Sequence, residues 1–338
     1  MVRLMENLYN KSISAVRVDS ELTDWFKTIV GVRQGCCLSP YLFNLILEAM
    51  IKYATYNYSL EDTGINMYGS TVNNLRFADD IDLIAKSEQD LQTLTSGIHL
   101  ASEKFGLKIN CEKTKTVAIS RERTAVNIRI GQSAVEQVED FVYLGSVITQ
   151  DGKCEEDIRR RIGKASSVMG RLGKIWKDTY ISLETKVMIY EALVKSVFMY
   201  GAECWTLRKE DERRILVAEM GWLRKIAGIS RRERRRNEDI RAELAQTVTL
   251  VDRIQEKRLQ WFGHVERMKT DRLPVKALHA KIEGKRSRGR QRKRWIDNVT
   301  ADIKERGSCM QMAKELVHNR EEWRSLTIQP HRRQPPGE

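Results

Sequence analysis

Residues 73–85 read NNLRFADDIDLIA, two short apolar runs with adjacent carboxylates, Asp79 and Asp80, between them. Leu75 and Phe77 alternate with Arg76 and Ala78, while Ile81, Leu83 and Ala85 alternate with Asp82 and Ile84. Such period-2 alternation is that of half-buried strands, so the two carboxylates fall on a hairpin tip. Adjacent acids on a rigid tip repel one another, and a divalent cation relieves that repulsion. An Asp-Asp pair in a solvated turn is the competing reading of the same residues. Asp82 reads as a solvent-facing strand residue.

Working outward, the loop Gly31–Pro40, GVRQGCCLSP, precedes the apolar run YLFNLILEAMIKY. Ser39 as N-cap and Pro40 at the first helical position open a helix that buries Leu42, Phe43, Leu45, Ile46, Met50 and Tyr53. Gly31 and Gly35 permit close approach of backbone to a ligand, and Arg33 and Gln34 offer donors to phosphates or base edges at a helix N-terminus. An ordinary glycine-rich turn is the alternative. Upstream, residues 12–30 read as a strand pair around Asp19-Ser20-Glu21. Downstream, Ser87 and Asp90 cap a helix with the stripe Leu91, Leu94, Ile98, Ala101 and Phe105, ended by Gly106. Leu107 to Asn110 reads as a short strand leading to Lys113 and Lys115, which could reach substrate phosphates. A second strand pair follows over Phe141 to Thr149, turning at Gln150-Asp151-Gly152. Strands and helices in this order describe an α+β fold, an antiparallel sheet with helices on one face.

From Glu155 the pattern becomes helical. Stripes at Ile158, Ile162, Ala165, Met169, Leu172 and Trp176, at Val187, Tyr190, Val194, Val197 and Phe198, and at Ile215, Trp222, Leu223 and Ile226 describe a bundle. A further helix runs from about Thr249 to Met268, and shorter ones follow at Trp295 and over Met310 to Leu326.

Charge divides the chain. Of a net +13, residues 1–150 hold 15 Lys and Arg against 18 Asp and Glu, while residues 151–338 hold 44 against 28. A polyanion held by the second half, nucleic acid first among them, is the expectation. The basic residues concentrate in two runs: Arg231, Arg232, Arg234, Arg235 and Arg236 in one, and Lys285, Arg286, Arg288, Arg290, Arg292, Lys293 and Arg294 within Lys281–Arg294 in the other. The second run has glycines and no apolar periodicity and reads as a mobile loop. Both bind nucleic-acid backbone on this reading, with a nuclear localisation signal or solvated surface as the alternatives. Six scattered cysteines without zinc-ligand spacing read as free thiols, and no run approaches a membrane span. An intracellular protein, nuclear or cytoplasmic, is expected. The tail 329–338 is expected to be disordered.

The order GVRQGCCLSPYLFN, FADD, GLKINCEKTKTV, FVYLG resembles the successive palm motifs of reverse transcriptases, nearest to those of non-LTR, LINE-like retrotransposons. KVMIYEALVKSVFMYGAECW, WFGHVERM and RGRQRKRWIDNV resemble the thumb and C-terminal region that follow. The resemblance implies a partial palm over 1–150, a helical thumb-like region over 151–230 and a basic helical region over 231–328. It implies an RNA-directed DNA polymerase acting on an RNA template and DNA primer with two Mg²⁺ ions. Asp79 and Asp80 are then catalytic metal-binding carboxylates. Gln34 and Gly35, with Arg33 and Phe77, line the nucleotide and template site, and Lys113 lies near the triphosphate. Tyr143, Leu144 and Gly145 form the hairpin that grips the primer end.

Family members carry another palm strand before the GVRQG loop, with a further metal-binding aspartate and the residue that gates ribose against deoxyribose. Glu6, Asp19, Glu21 and Asp24 lack that context. The expectation is thus a truncated enzyme, inactive alone, and the alternative is a non-catalytic nucleic-acid-binding remnant.

Overall fold

The computed structural model describes residues 2–10, 12–120, 124–280 and 292–328. The chain divides into two compact units, residues 1–114 with 127–135, and residues 115–126 with 136–338. The hairpin over 140–149 lies in the second unit.

In the first unit, helices α1 (Val2–Asn10), α2 (Ser39–Asn57) and α3 (Glu88–Lys104) alternate with hairpins. Ser87 caps α3 by accepting from the Asp90 amide at 3.1 Å, as its sequence requires. Leu47, Met50, Ile51 and Ala54 of α2 meet Leu94, Ile98 and Ala101 of α3 in one core with Leu60. The face of α2 differs from the expected one, since Leu45 and Ile46 are exposed. Residues 42–43 and 45–47 are apolar almost without a break, so periodicity alone does not choose the buried face. Ser39 is not the cap either. It sits inside the helix, and its hydroxyl donates to the Arg33 carbonyl at 2.6 Å, holding the preceding loop.

Every sheet among the described residues is two-stranded, so in place of the expected antiparallel layer there are separate antiparallel strand pairs and one parallel pair, Lys115–Thr116 with Glu136–Gln137. Around Asp19 and Ser20, both at positive φ, Arg17–Val18 pairs with Glu21–Leu22. Leu107 to Asn110, expected as a strand, is irregular.

The second unit is helical. Helix α4 (Glu155–Arg171), the Leu183–Phe198 segment with its π-helical stretch Tyr190–Lys195, and the helices Lys209–Ile226 and Leu250–Glu266 bury Ile158, Ala165, Tyr190, Phe198, Ile215, Leu223 and Ile254 together. The stripes read from the sequence are the ones buried. A further cluster joins Leu259 and Phe262 to Val299, Ile303, Val317 and Trp323. Arg258 and Asp302 pair at 2.7 Å, both almost wholly buried; burial pushes the Asp302 carboxyl up to about 6 against the pull of Arg258. The helix expected over Met310 to Leu326 is two, Met310–Leu316 and Arg320–Ile328. Asn319 separates them because its side chain accepts from the Glu321 and Glu322 amides and starts the second helix.

Candidate active site

Strands Asn74–Phe77 and Asp80–Leu83 form the expected hairpin, with Phe77 opposite Asp80 and Leu75 opposite Asp82. Ala78 and Asp79 make the two-residue turn, with Ala78 at φ +53°. Asp79 and Asp80 are both exposed. Directly paired residues share a face, so Leu75, Phe77, Asp80 and Asp82 lie on one side and Asn74, Arg76, Ile81 and Leu83 on the other. The second side packs on the first unit's core through Ile81 and Leu83. The two apolar sets of the sequence therefore point in opposite directions, and the carboxylate face carries Phe77, 63% exposed. Asp82 is half-buried rather than solvent-facing, and burial holds its carboxyl above the usual range.

The hairpin is fixed to α2 by Arg76, which donates to Glu48 at 2.6 Å and holds that carboxyl below its ordinary range. Between them opens a cleft of about 930 Å³. Its walls are the Arg33–Cys37 loop, the first turns of α2 with Asn44 and Glu48, and Arg76, Phe77 and Ala78. Four of the expected site residues, Arg33, Gln34, Gly35 and Phe77, are thus brought together at the foot of the carboxylate turn. Gly35 is at φ +79°, which glycine alone adopts freely. Arg33 is largely engaged: its guanidinium donates to the Leu8 carbonyl at 3.0 Å and to the Ser12 hydroxyl at 3.2 Å, tying the loop to the end of α1. Cys36 also lines the cleft, where the Leu38 amide lowers its thiol.

Glu48, Arg76 and Asn44 were not singled out from the sequence. The available signal was Arg76, a charge on the strand face that a core must cover, which calls for an acid opposite.

Lys113 stands on an exposed turn and is not among the residues lining the cleft, while Lys115 pairs with Glu136 at 2.6 Å. Tyr143, Leu144 and Gly145 belong to the second unit, in the hairpin Asp140–Tyr143 with Ser146–Thr149. The turn is at Leu144-Gly145, both at positive φ, and not at Gln150–Gly152. Tyr200 donates its hydroxyl to the Leu144 carbonyl at 2.8 Å, Arg161 donates to the Gly145 carbonyl at 2.6 Å, and the Arg161 guanidinium lies 4.4 Å from the centre of the Tyr200 ring.

The first basic run is a 3-10 turn, Arg231–Glu233, with every residue from Arg231 to Arg236 exposed; Arg235 pairs with Glu243 at 2.7 Å. Of the second run, Lys285, Arg286, Arg288 and Arg290 lie outside the described residues, as does the tail from 329. The remaining three are exposed but engaged: Arg292 donates to the Asp151 carbonyl, Lys293 to the Leu207 carbonyl and Arg294 to Asp297, which caps the Trp295–Glu305 helix. Among the described residues, no three His, Cys, Asp or Glu side chains gather as a metal-holding group. All six cysteines are free, and no described helix is long and apolar enough to cross a membrane.

Residues 2–148 match the family model for reverse transcriptase (RNA-dependent DNA polymerase). Over this stretch the chain is similar to reverse transcriptases. Its likeness is to the non-LTR retrotransposon branch. It is 27% identical over 269 residues to an uncharacterized transposon-derived protein of Caenorhabditis elegans, covering 75% of this chain and 95% of that one. Over 149 residues it is 30% identical to a retrovirus-related Pol polyprotein from a type-1 retrotransposable element of Nasonia vitripennis, covering 44% of this chain. Over 203 residues it is 25% identical to a probable RNA-directed DNA polymerase from the X-element transposon of Drosophila melanogaster, covering 57%. It spans 14% and 21% of those two proteins. The reverse transcriptase match thus covers the cleft, the carboxylate hairpin and the hairpin of Tyr143.

Proposed function

We propose that the cleft and carboxylate turn form the deoxynucleotide end of an RNA-directed DNA polymerase site, and that the basic second half holds the RNA template and DNA primer. The observation that supports this most is the meeting of the Gln34-Gly35 loop with Phe77 and Ala78 in one open cleft, with Asp79 and Asp80 next in the chain after its last lining residue. Gln34 offers donors to a base edge, and the Gly35 backbone lets a nucleotide come close. The exposed Phe77 ring supports the sugar or base on the face that carries Asp80. Lys113 takes the triphosphate on this reading, and Tyr143, Leu144 and Gly145 the primer end.

Asp79 and Asp80 are hard oxygen donors of the kind Mg²⁺ takes together with substrate phosphates, so they fit one such ion. Asp79 and Asp80 would hold such an ion, which would supply neutralisation of phosphate charge and activation of the primer hydroxyl. Two ions bring four positive charges against two carboxylates, and no third acid joins them among the described residues. We infer that residues 1–338 alone bind a metal–deoxynucleotide without extending a primer. In-line transfer requires placement within a fraction of an ångström, and an error of about 1 Å costs roughly a hundredfold.

The missing third acid also favours a second reading, a nucleic-acid-binding protein without chemistry. Titration of Mn²⁺–deoxynucleotide by electron spin resonance, beside primer extension on a primed RNA template, separates the two. Binding that Asp79→Ala and Asp80→Ala each abolish supports the polymerase site. Nucleic-acid binding without any metal–nucleotide binding leaves the second reading. Extension by the full chain that Asp80→Ala abolishes would overturn the inferred inactivity.

A further inference from the structure

Beyond the exposed arginine run, the second unit holds a small groove along one face of the Lys209–Ile226 helix. Its volume is about 300 Å³. Leu216, Val217, Met220 and Gly221 form its floor, and Arg213, Arg224 and Arg231 stand around it. Residues 213, 216, 217, 220, 221 and 224 follow i, i+3, i+4, i+7, i+8, i+11 spacing, one continuous stripe. The helix buries Ile215, Glu219, Trp222, Leu223 and Ile226 in the core, and of the floor Met220 is also buried there and Leu216 packs against it, which leaves Val217 and Gly221 as the open part of the groove. Val217, 57% exposed, is an apolar residue on a face otherwise edged by arginines.

The arginines differ in how they are held. Arg224 donates through Nη2 to the Arg235 carbonyl at 2.8 Å and to Asn237 at 3.0 Å, leaving Nη1 without a partner. Its guanidinium plane is fixed. Arg213 and Arg231 make no ion pair among the described residues.

We propose that this groove takes an unstacked nucleotide of a single-stranded nucleic acid, its base on the apolar floor and its flanking phosphates on Arg213, Arg224 and Arg231. A duplex offers such a surface only its charged backbone and would leave the floor wet. An unpaired base has an apolar face to bury there, against Val217 and the open backbone at Gly221. The rim selects a polyanion, because three arginines without compensating acids match phosphate rather than an uncharged ligand. This deepens the reading of the second half as nucleic-acid-binding and rests on it.

Gly221 supplies the test. A Cβ there would meet nothing within 4 Å, so Gly221→Leu fills the groove without changing charge and replaces a glycine in a helix interior. Val217→Gln is the second variant, a polar change on an exposed position. The full chain is titrated by fluorescence anisotropy against a labelled single-stranded RNA and against an RNA hairpin duplex with the same number of phosphates. Circular dichroism checks the fold of each variant.

Gly221→Leu is expected to weaken single-strand binding about tenfold, the scale of one lost base contact, and to leave duplex binding within about twofold. Val217→Gln should show the same selectivity to a smaller degree. Arg213→Ala with Arg231→Ala should weaken both ligands and lower the salt slope. Unchanged single-strand binding in both floor variants, or equal loss for the two ligands, overturns the groove while leaving the broader reading intact. Wild-type protein that binds neither RNA overturns both. Selective displacement from the groove by an acidic amphipathic peptide, with single-stranded RNA failing to compete, also overturns the assignment.

Discussion

Arg76 and Glu48 join the carboxylate hairpin to helix α2 across 2.6 Å, and both line the cleft between those elements. The pair is part-exposed, with side chains 32% and 44% accessible, so its worth in stability is small. A double-mutant cycle with Arg76→Ala and Glu48→Ala should give a coupling of about 0.2–1 kcal/mol. The larger effect is expected on the site, as weaker metal–deoxynucleotide binding by the Arg76→Ala chain.

The same pair sets a pH dependence. Arg76 depresses the Glu48 carboxyl, so the folded state holds this proton more weakly than the unfolded one. Its contribution is complete above the ordinary glutamate range and is lost as the pH falls through the lowered value. Urea unfolding between pH 7 and pH 3 should show a shallower acid loss for Glu48→Gln than for the wild type.

Ala78 occupies a turn position that strongly favours glycine. Its φ of +53° costs an L-residue roughly 1–2 kcal/mol, while glycine carries about 0.4–1 kcal/mol more chain entropy in the unfolded state. Ala78→Gly should therefore stabilise the first unit by about half to one kcal/mol in urea titrations. A loss of stability would mean that the alanine methyl makes a contact outweighing its strain.

Four arginines of the first run, Arg231, Arg232, Arg234 and Arg236, are exposed, whereas Arg235 is tied to Glu243. Replacing those four with Ala should flatten the salt dependence of RNA and DNA binding alike by up to about three units of slope, at roughly 0.7–0.9 per phosphate contact. Arg235→Ala alone should hardly move it. A sequence-selective loss would point to base readout instead.

Gly263 sets how closely the C-terminal helix approaches. A Cβ at that position would lie 2.1 Å from Trp323 Nε1, and the ring also packs on Phe262. Gly263→Ala should cost about 1–3 kcal/mol by overpacking, against the usual gain from alanine in a helix. Thermal melting with and without Trp323→Phe measures how far the ring can retreat.

The sequence made the helical stripes of the second unit, the Ser87 cap and the carboxylate turn legible because each is a local pattern with a single period or a side chain acting within three residues. Helix α2 was less legible, since its near-unbroken apolar stretch leaves the buried side to be chosen by α3. The hairpin faces were hidden for another reason. A two-residue turn puts Leu75 beside Asp82 and Arg76 beside Ile81, and that register depends on the turn conformation at Ala78. Arg292, Lys293 and Arg294 look like free charge in the sequence, yet their partners at Asp151, Leu207 and Asp297 include two distant in the chain.

Tyr200 and Arg161 hold the Leu144-Gly145 turn by its two carbonyls, one from beyond the π-helical segment and the other from α4. Val147 is likewise bound through its amide to Asp157 of α4. A loop fastened at its apex as well as along its strand has no hinge of its own. Rotation of the helical bundle would carry the tip through the same angle, so this hairpin behaves as the end of a lever, and stiffness at Arg161 and Tyr200 decides how faithfully it follows.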